Sequence, residues 1–200
     1  MTVQNIAYDS SEHPYMASKY PHANFFIRTP EAKMYRVEHG RGKELLNRLP
    51  DDRPLFGVEV GVNEGYLSNH LLARRLGLTL WMIDHWERQK TLTAFGIALC
   101  QTDFASHRRV IMRRKSVEVA ALIPDGVMDF VFIDASHKYW DVIHDIEAWK
   151  PKLKPDGLLC GHDIHMKEVL KAVDELVPGW EGGEDAMWFA PSEAKHGKSR

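Results

Sequence analysis

Short apolar segments alternate with longer amphipathic segments between Leu55 and Ala190, and this alternation constrains the fold more than any other feature of the chain. The short segments are typical of buried strands, and the longer ones place apolar residues at helical spacing. Strands joined by helices form right-handed βαβ units, which build a parallel sheet covered on both faces. The predicted strands are Leu55–Val60, Leu78–Ile83, Val110–Met112, Met128–Ile133, Gly157–Gly161 and Ala186–Ala190. The predicted helices are Tyr66–Leu76, Leu92–Phe104, Val117–Leu122, Asp141–Leu153 and Met166–Val177.

Residues 1–54 lack this alternation, and we expect them to form an arm or cap. One or two helices are predicted within Glu31–Leu49, ending near Pro50 because proline cannot continue a helix. The segment is rich in Tyr and Phe, which suit ligand walls and interfaces. It is therefore expected to line an acceptor pocket or a subunit contact, and not to hold a cofactor. The alternative is that it covers one face or edge of the sheet. Residues 191–200 are expected to be a flexible tail.

The composition fits one globular domain and gives no sign of a nucleic-acid or membrane partner. A chain of 200 residues can bury one core, and its net charge of −2 provides no basic face for nucleic acid. No apolar run is long enough for a membrane helix, and the N-terminus lacks the pattern of a secretory signal. The two cysteines, Cys100 and Cys160, are too few for a disulfide framework. We expect a cytoplasmic protein, and a homo-oligomer remains an open alternative.

Polar residues follow the first two predicted strands, where a parallel sheet binds its ligands. Residues Glu59, Gly61, Asn63, Glu64 and Gly65 surround the first turn. Asp84 ends the second strand and is placed to accept hydrogen bonds from both hydroxyls of a ribose. Three carboxylates in this region would repel a diphosphate, whereas they suit a ligand that carries an ammonium and a sulfonium. The charges therefore favour S-adenosylmethionine over NAD.

Several spaced motifs resemble class I S-adenosylmethionine-dependent methyltransferases. They are Glu59-x-Gly61-x-x-x-Gly65, Asp84, and Phe132-Ile-Asp134-Ala-Ser-His137-x-Tyr139. The stretch Asp129–Asp163 is similar to small-molecule O-methyltransferases of antibiotic tailoring, a sister group of the catechol O-methyltransferases. The resemblance covers Leu55–Ala190. It implies an α/β, Rossmann-like fold with a seven-stranded, mostly parallel sheet, helices on both faces and an antiparallel last strand.

The resemblance also implies roles for individual residues. Glu59 and the turn Gly61–Gly65 would face the methionine moiety of the donor, with Asn63 where the family usually has glycine. Asp84 would hold the ribose. Ser116, also the expected N-cap of the helix after the third strand, would contact adenine. Asp134 would lie below the methyl group that is transferred.

The residues after the fourth and fifth strands point to the chemistry of the acceptor. A hydroxyl is difficult to ionise at neutral pH, and a divalent cation can lower its pKa and fix its position. Metal-dependent relatives hold their ion with acidic residues at these two places, which are Asp134 and the pair His162-Asp163 here. Mg²⁺ is one candidate, but an imidazole ligand is better tolerated by Mn²⁺ or Zn²⁺. Asp134 and His137 are the predicted catalytic residues, with His137 as a general base.

The leading hypothesis is a metal-assisted O-methyltransferase for a small hydroxylated acceptor. A metal-independent methyltransferase, with His137 or Asp134 acting alone, is the second. A non-catalytic protein that binds S-adenosylmethionine is the third. An NAD-dependent oxidoreductase is disfavoured by charge, and a nucleic-acid methyltransferase by the absence of a basic face and of an Asn/Asp-Pro-Pro-Tyr/Phe motif.

Overall fold

The structure, a computed structural model, describes residues 30–87 and 89–191. Its helices are α1 (Pro30–His39), α2 (Arg41–Arg48), α3 (Tyr66–Arg74), α4 (Gln89–Gln101), α5 (Ser116–Ala120), α6 (Tyr139–Trp149) and α7 (Lys167–Leu176). Its strands are β1 (Leu55–Val60), β2 (Leu78–Asp84), β3 (Arg109–Arg113), β4 (Met128–Ile133), β5 (Leu153–Gly161), β6 (Glu181–Gly182) and β7 (Trp188–Phe189). They form one seven-stranded sheet in the order β3-β2-β1-β4-β5-β7-β6. Strands β1 to β5 are parallel and β7 is antiparallel to β5, which confirms the predicted Rossmann-like fold.

Helices cover the sheet on both faces and enclose a separate hydrophobic cluster on each. Successive side chains of a strand point to opposite faces. Accordingly Phe130 and Phe132 of β4 belong to the cluster under α1 to α4, whereas Val131 and Ile133 belong to the cluster under α5 to α7. Because both faces are buried, the central strands are apolar at most positions, which is why they stand out as nearly continuous apolar runs.

The helices α1 and α2 of the predicted arm are part of the core. Val37, Leu45 and Leu49 are buried in the same cluster as Leu71 and Leu72 of α3. Helix α2 ends at Arg48, just before Pro50, as the proline predicts. Residues 30–49 therefore cover one face of the sheet, and the acceptor-pocket and subunit-contact roles stay predictions. Residues 1–29 and 192–200 lie outside the described ranges, so the predictions for the rest of the arm and for the tail are not tested.

Several helix boundaries differ from the predicted ones. Helix α6 stops at Trp149, and a short 3₁₀ turn with Pro151 separates it from β5, because proline cannot continue the α-helix. Helix α3 ends two residues before its predicted end, and α4 runs over Gln89–Gln101. With 13 residues α4 is the longest helix in the two described ranges, and none of these helices combines the length and apolar character needed to cross a membrane.

Two strand predictions and one cap also need correction. Strand β5 begins at Leu153, where a helix end was expected, and not at Gly157. The predicted last strand is reduced to Trp188–Phe189, which pairs with the short β6. Ser116 is the first residue of α5, and the N-cap is Lys115. The hydroxyl of Ser116 does not cap the helix because it donates a hydrogen bond to Asp145 on α6.

A buried carboxylate ties together the edge of the sheet where the parallel strands begin. Asp129, at the start of β4, accepts hydrogen bonds from the Phe56 N–H (2.7 Å), from Lys154 Nζ (2.9 Å) and from Arg53. Burial would raise the pKa of Asp129, but these three donors lower it below its usual value. The carboxylate therefore connects the segment before β1 with β1, β4 and β5.

We expect Asp129→Ala to lower the free energy of unfolding by roughly 2–4 kcal/mol, because two cations and a backbone N–H lose a shared buried acceptor. Arg53→Gln should lower the free energy of unfolding clearly less, since the Arg53 guanidinium is partly exposed and two other donors remain. Urea unfolding of both variants at pH 7 measures the difference. Equal losses would show that Asp129 contributes no more than a surface ion pair.

Candidate active site

The predicted functional residues meet at the edge of the sheet where the parallel strands end. Strands β2, β1, β4 and β5 are neighbours in that order, and each is followed by polar residues. The chain runs from β1 outward to β3, then returns to place β4 on the other side of β1. This reversal creates a crevice between β1 and β4, the position at which open α/β sheets bind their ligands.

The turn after β1, which we call the glycine turn (Gly61–Gly65), depends on two left-handed glycines. Gly61 has a φ of 91° and Gly65 a φ of 77°. A Cβ atom at Gly61 would lie 2.1 Å from the carbonyl oxygen of Asp134, so no side chain fits there. The missing side chain lets the turn pack directly against the main chain that follows β4.

Asn63 preserves the shape of this turn without a third glycine. Its φ of 52° is left-handed, a conformation that asparagine adopts more readily than most residues. Its N–H donates to Asp84 Oδ2 (2.8 Å), and its carbonyl accepts from the indole N–H of Trp86 (3.0 Å). Asp84 Oδ1 also accepts from the Trp86 N–H (3.2 Å). Asp84 Oδ1 also lies 3.0 Å from His85 Nδ1, whereas within the described ranges Oδ2 accepts only the Asn63 bond and keeps a second lone pair for a ligand.

The carboxyl group of Glu59 is buried beneath the glycine turn and accepts a hydrogen bond from Ser68. Burial raises the pKa of Glu59 to about 8, despite the opposing effects of Ser68 and Arg41. Glu59 is therefore mostly neutral at pH 7, and Glu64 is paired with Lys33 of α1. The repulsion of a diphosphate is consequently weaker than the sequence indicates.

Asp134, His162 and Asp163 form a compact group, the Asp-His-Asp cluster, after β4 and β5. One potential ligand atom from each residue lies within 4.8 Å of the other two. The Nδ1 atom of His162 is 3.1 Å from Asp163 Oδ1 and 3.7 Å from Asp134 Oδ1. Metal–ligand bonds of about 2.0–2.2 Å to nitrogen and oxygen place opposed ligands about 4 Å apart, so the cluster is close to the size of a single-ion site.

Other charged side chains surround the cluster, and the sequence motifs indicated only some of them. His137 Nε2 is 2.6 Å from Asp163 Oδ2, which brings the predicted base into the site. Asp185 Oδ2 is 3.7 Å from His162 Nε2, and Arg41 Nη1 is 3.4 Å from Asp134 Oδ2. Arg41 and Asp185 lie far from the motifs in sequence, and no local pattern identifies them.

The ionisable groups of the cluster shift one another's pKa values. Burial lowers the pKa of His162, but the facing Asp163, Asp185 and Asp134 outweigh it and raise the pKa to about 9. Burial raises the pKa of Asp134, and Arg41 and His162 only partly oppose this effect. Neither ring nitrogen of His162 makes a hydrogen bond of good geometry to another residue in the described part of the chain.

Ser116 lies after β3, two strands from β1, and its hydroxyl is directed into the protein. It donates to Asp145 Oδ1 (2.5 Å) and accepts from the indole N–H of Trp149 (2.7 Å). This network fixes α5 against α6. A contact between Ser116 and adenine remains a prediction. Because the hydroxyl is engaged by Asp145 and Trp149, only the main chain of Ser116 could make this contact.

Comparison with known proteins identifies a family over the central part of the chain. Residues 58–164 match the family described as a methyltransferase domain. An uncharacterised protein of Sinorhizobium fredii, y4gI, is 26% identical over 142 residues, which are 66% of this chain. The match spans only 15% of that much longer protein.

Solved structures share the fold at low sequence identity. A protein of Corynebacterium glutamicum has a TM-score of 0.64 at 13% identity, covering 92% of this chain and 99% of its own. A Staphylococcus aureus protein assigned as a caffeoyl-CoA O-methyltransferase has a TM-score of 0.56 at 18% identity, covering 88% and 96%. An S-adenosylmethionine-dependent methyltransferase from Aquifex aeolicus has a TM-score of 0.55 at 14% identity, covering 81% and 97%.

The network at Ser116 leads to a pH-dependent prediction. Burial raises the pKa of Asp145 from 3.8 to about 6, against the hydrogen bond from Ser116, which lowers it. The folded state therefore binds more protons than the unfolded state in this window, and stability falls as pH rises from 3.8 to about 6. Asp145→Asn removes the charge and keeps an acceptor for Ser116. We expect it to exceed the native protein in stability by roughly 2–3 kcal/mol at pH 8, and by little near pH 4.

Urea unfolding between pH 4 and pH 8 checks this expectation, with Glu147→Gln, an exposed change on the same helix, as the control. A stability difference that does not change with pH would contradict it.

Proposed function

This chain belongs to the methyltransferase domain family, and we propose that it is an S-adenosylmethionine-dependent enzyme that methylates a hydroxyl oxygen of a small molecule with the help of a divalent cation. The observation that carries the proposal is the Asp-His-Asp cluster beside the glycine turn. It combines metal-ligating side chains with the edge of the sheet where the donor is expected. The sulfonium of the donor supplies an already activated methyl group, so the protein mainly has to orient the acceptor and help to deprotonate it.

The donor side of the crevice fits the predicted ligand. Asp84 keeps acceptor capacity for the ribose hydroxyls, and its side chain is 14% exposed. Gly61 lets the glycine turn pack directly against the main chain at Asp134, which brings the donor and acceptor sides of the crevice together. Glu59 and this turn would face the methionine moiety.

The acceptor side fits a divalent cation that tolerates nitrogen. Asp134, His162 and Asp163 would hold the ion through two carboxylates and one imidazole, a set that suits Mn²⁺ or Zn²⁺ better than Mg²⁺. Such an ion acts as a Lewis acid that lowers the pKa of a bound hydroxyl. His137 contacts Asp163, is 44% exposed, and would take the proton from the acceptor.

A second candidate function is methyl transfer without a metal, and two contacts favour it. Arg41 pairs with Asp134, and His137 contacts Asp163, so protein side chains already face both carboxylates. In this mechanism His137 or Asp134 would be the base. The Staphylococcus aureus structure supports an oxygen acceptor only by analogy of fold. We also propose that the acceptor is a small molecule and not nucleic acid, and that the protein is cytoplasmic.

We expect Asp84→Ala to weaken the binding of S-adenosylhomocysteine by roughly 10- to 100-fold, because the ribose loses charge-assisted hydrogen bonds. Calorimetry measures the affinity, and Asp125→Ala provides a matched control because Asp125 is exposed and paired with Lys152 away from the site. NAD binding as tight as that of S-adenosylhomocysteine would contradict the assignment of the donor.

We expect Mn²⁺ to bind to the native protein, and Asp163→Asn to weaken that binding at least about tenfold because one anionic ligand is lost. The affinity for S-adenosylhomocysteine should change little. Calorimetry with each ligand separates the two effects, and Asp125→Asn is the control. Methylation of an identified acceptor at full rate in excess EDTA would replace the metal-assisted mechanism with the second candidate.

A further inference from the structure

Arg41 brings a permanent positive charge to a crevice that is rich in acidic side chains. It is the first residue of α2, outside the segment that matches the methyltransferase domain family. Burial lowers the pKa of Arg41, but the nearby Asp134, Asp185, Glu59 and Asp163 more than compensate and raise it. These four acidic groups are contributed by β1, by the ends of β4 and β5, and by the loop before β7.

The guanidinium of Arg41 has unused hydrogen-bonding capacity. Its side chain is 25% exposed, and Nη1 lies 3.4 Å from Asp134 Oδ2, which is long for a hydrogen bond. The buried Nε has no hydrogen-bond partner among residues 30–87 and 89–191. Guanidinium carries five N–H donors in a planar fork that matches a carboxylate. A buried N–H without a partner costs free energy, and a ligand carboxylate would remove that cost.

The position of Arg41 indicates that the ligand carboxylate belongs to the methyl donor. Arg41 faces Asp134, whose carbonyl oxygen packs against Gly61 of the glycine turn. Asp84, the expected ribose site, lies on β2, so a donor crossing β1 toward β4 brings its methionine end to Arg41. That end carries one carboxylate, which would be repelled by Asp134 and Asp163 without a cation beside it. His162 is less suitable because its two ring nitrogens already face acidic residues.

We propose that Arg41 binds the α-carboxylate of S-adenosylmethionine and thereby makes α2 part of the donor site. This differs from the expectation that the segment before Leu55 has no role in holding the cofactor. Since the contact concerns only the donor, it does not depend on whether a divalent cation acts on the acceptor. Binding can therefore be measured in EDTA.

The experiment compares two probes that differ only in this carboxylate. They are S-adenosylhomocysteine and its decarboxylated analogue, titrated calorimetrically into the native protein, Arg41→Gln and Arg41→Lys. We expect the native protein to prefer S-adenosylhomocysteine by roughly 10- to 100-fold, the scale of a charge-assisted bidentate contact. Arg41→Gln should abolish this preference by weakening S-adenosylhomocysteine alone, and Arg41→Lys should restore part of it. Lys43→Gln, an exposed change of the same charge on α2, should keep the native preference.

Three results would overturn the proposal. Equal affinity of the native protein for the two probes would exclude a carboxylate contact, and this arm needs no variant to fold. Equal losses for both probes in Arg41→Gln would show that Arg41 acts only through Asp134. An unchanged preference in a folded Arg41→Gln protein would assign the carboxylate to another residue.

Discussion

The close packing of Gly61 against the main chain at Asp134 is the contact on which the site depends. The Gly61 N–H donates to the Ile83 carbonyl (2.8 Å), and the Asp134 N–H donates to the Val60 carbonyl (2.8 Å). These bonds fasten the ends of β2, β1 and β4 to one another at the backbone level. The sheet itself therefore fixes the relative positions of Asp84 and Asp134.

Acidic groups gathered at one edge need compensation, because an unpaired charge in a partly buried site is costly. The compensation comes from different parts of the chain. Lys33 of α1 pairs with Glu64, and Arg41 of α2 pairs with Asp134, while the imidazole of His137 contacts Asp163. Glu59 is balanced differently, since burial raises its pKa and favours the neutral form. Helices α1 and α2 thus serve both the core and the electrostatics of the site.

The sequence predicts those features of the fold and the site that depend on local residue patterns. Continuous apolar runs located the strands, and parallel geometry predicted that Asp84, Asp134 and His162 would meet at one edge. Arg41 and Asp185 could not be found in this way because tertiary packing alone brings them to the cluster. The hydroxyl of Ser116 was predicted to cap its own helix, but it donates a hydrogen bond to Asp145, which is 29 positions away in sequence. Leu153 was placed in a helix because its apolar spacing fits α6, although Pro151 had already ended that helix.

The hydrogen bonds of Asp129 affect how such a protein can evolve. They fasten β1, β4 and β5 where these strands begin, about 15–20 Å from the catalytic edge, given the six residues of β4. The Asp129 anchor and the candidate active site thus lie at opposite ends of the same strands. Loops at the catalytic edge can accumulate substitutions without loosening the anchor that holds the strands in register. A fold arranged in this way can acquire new acceptors by drift and selection while its scaffold persists.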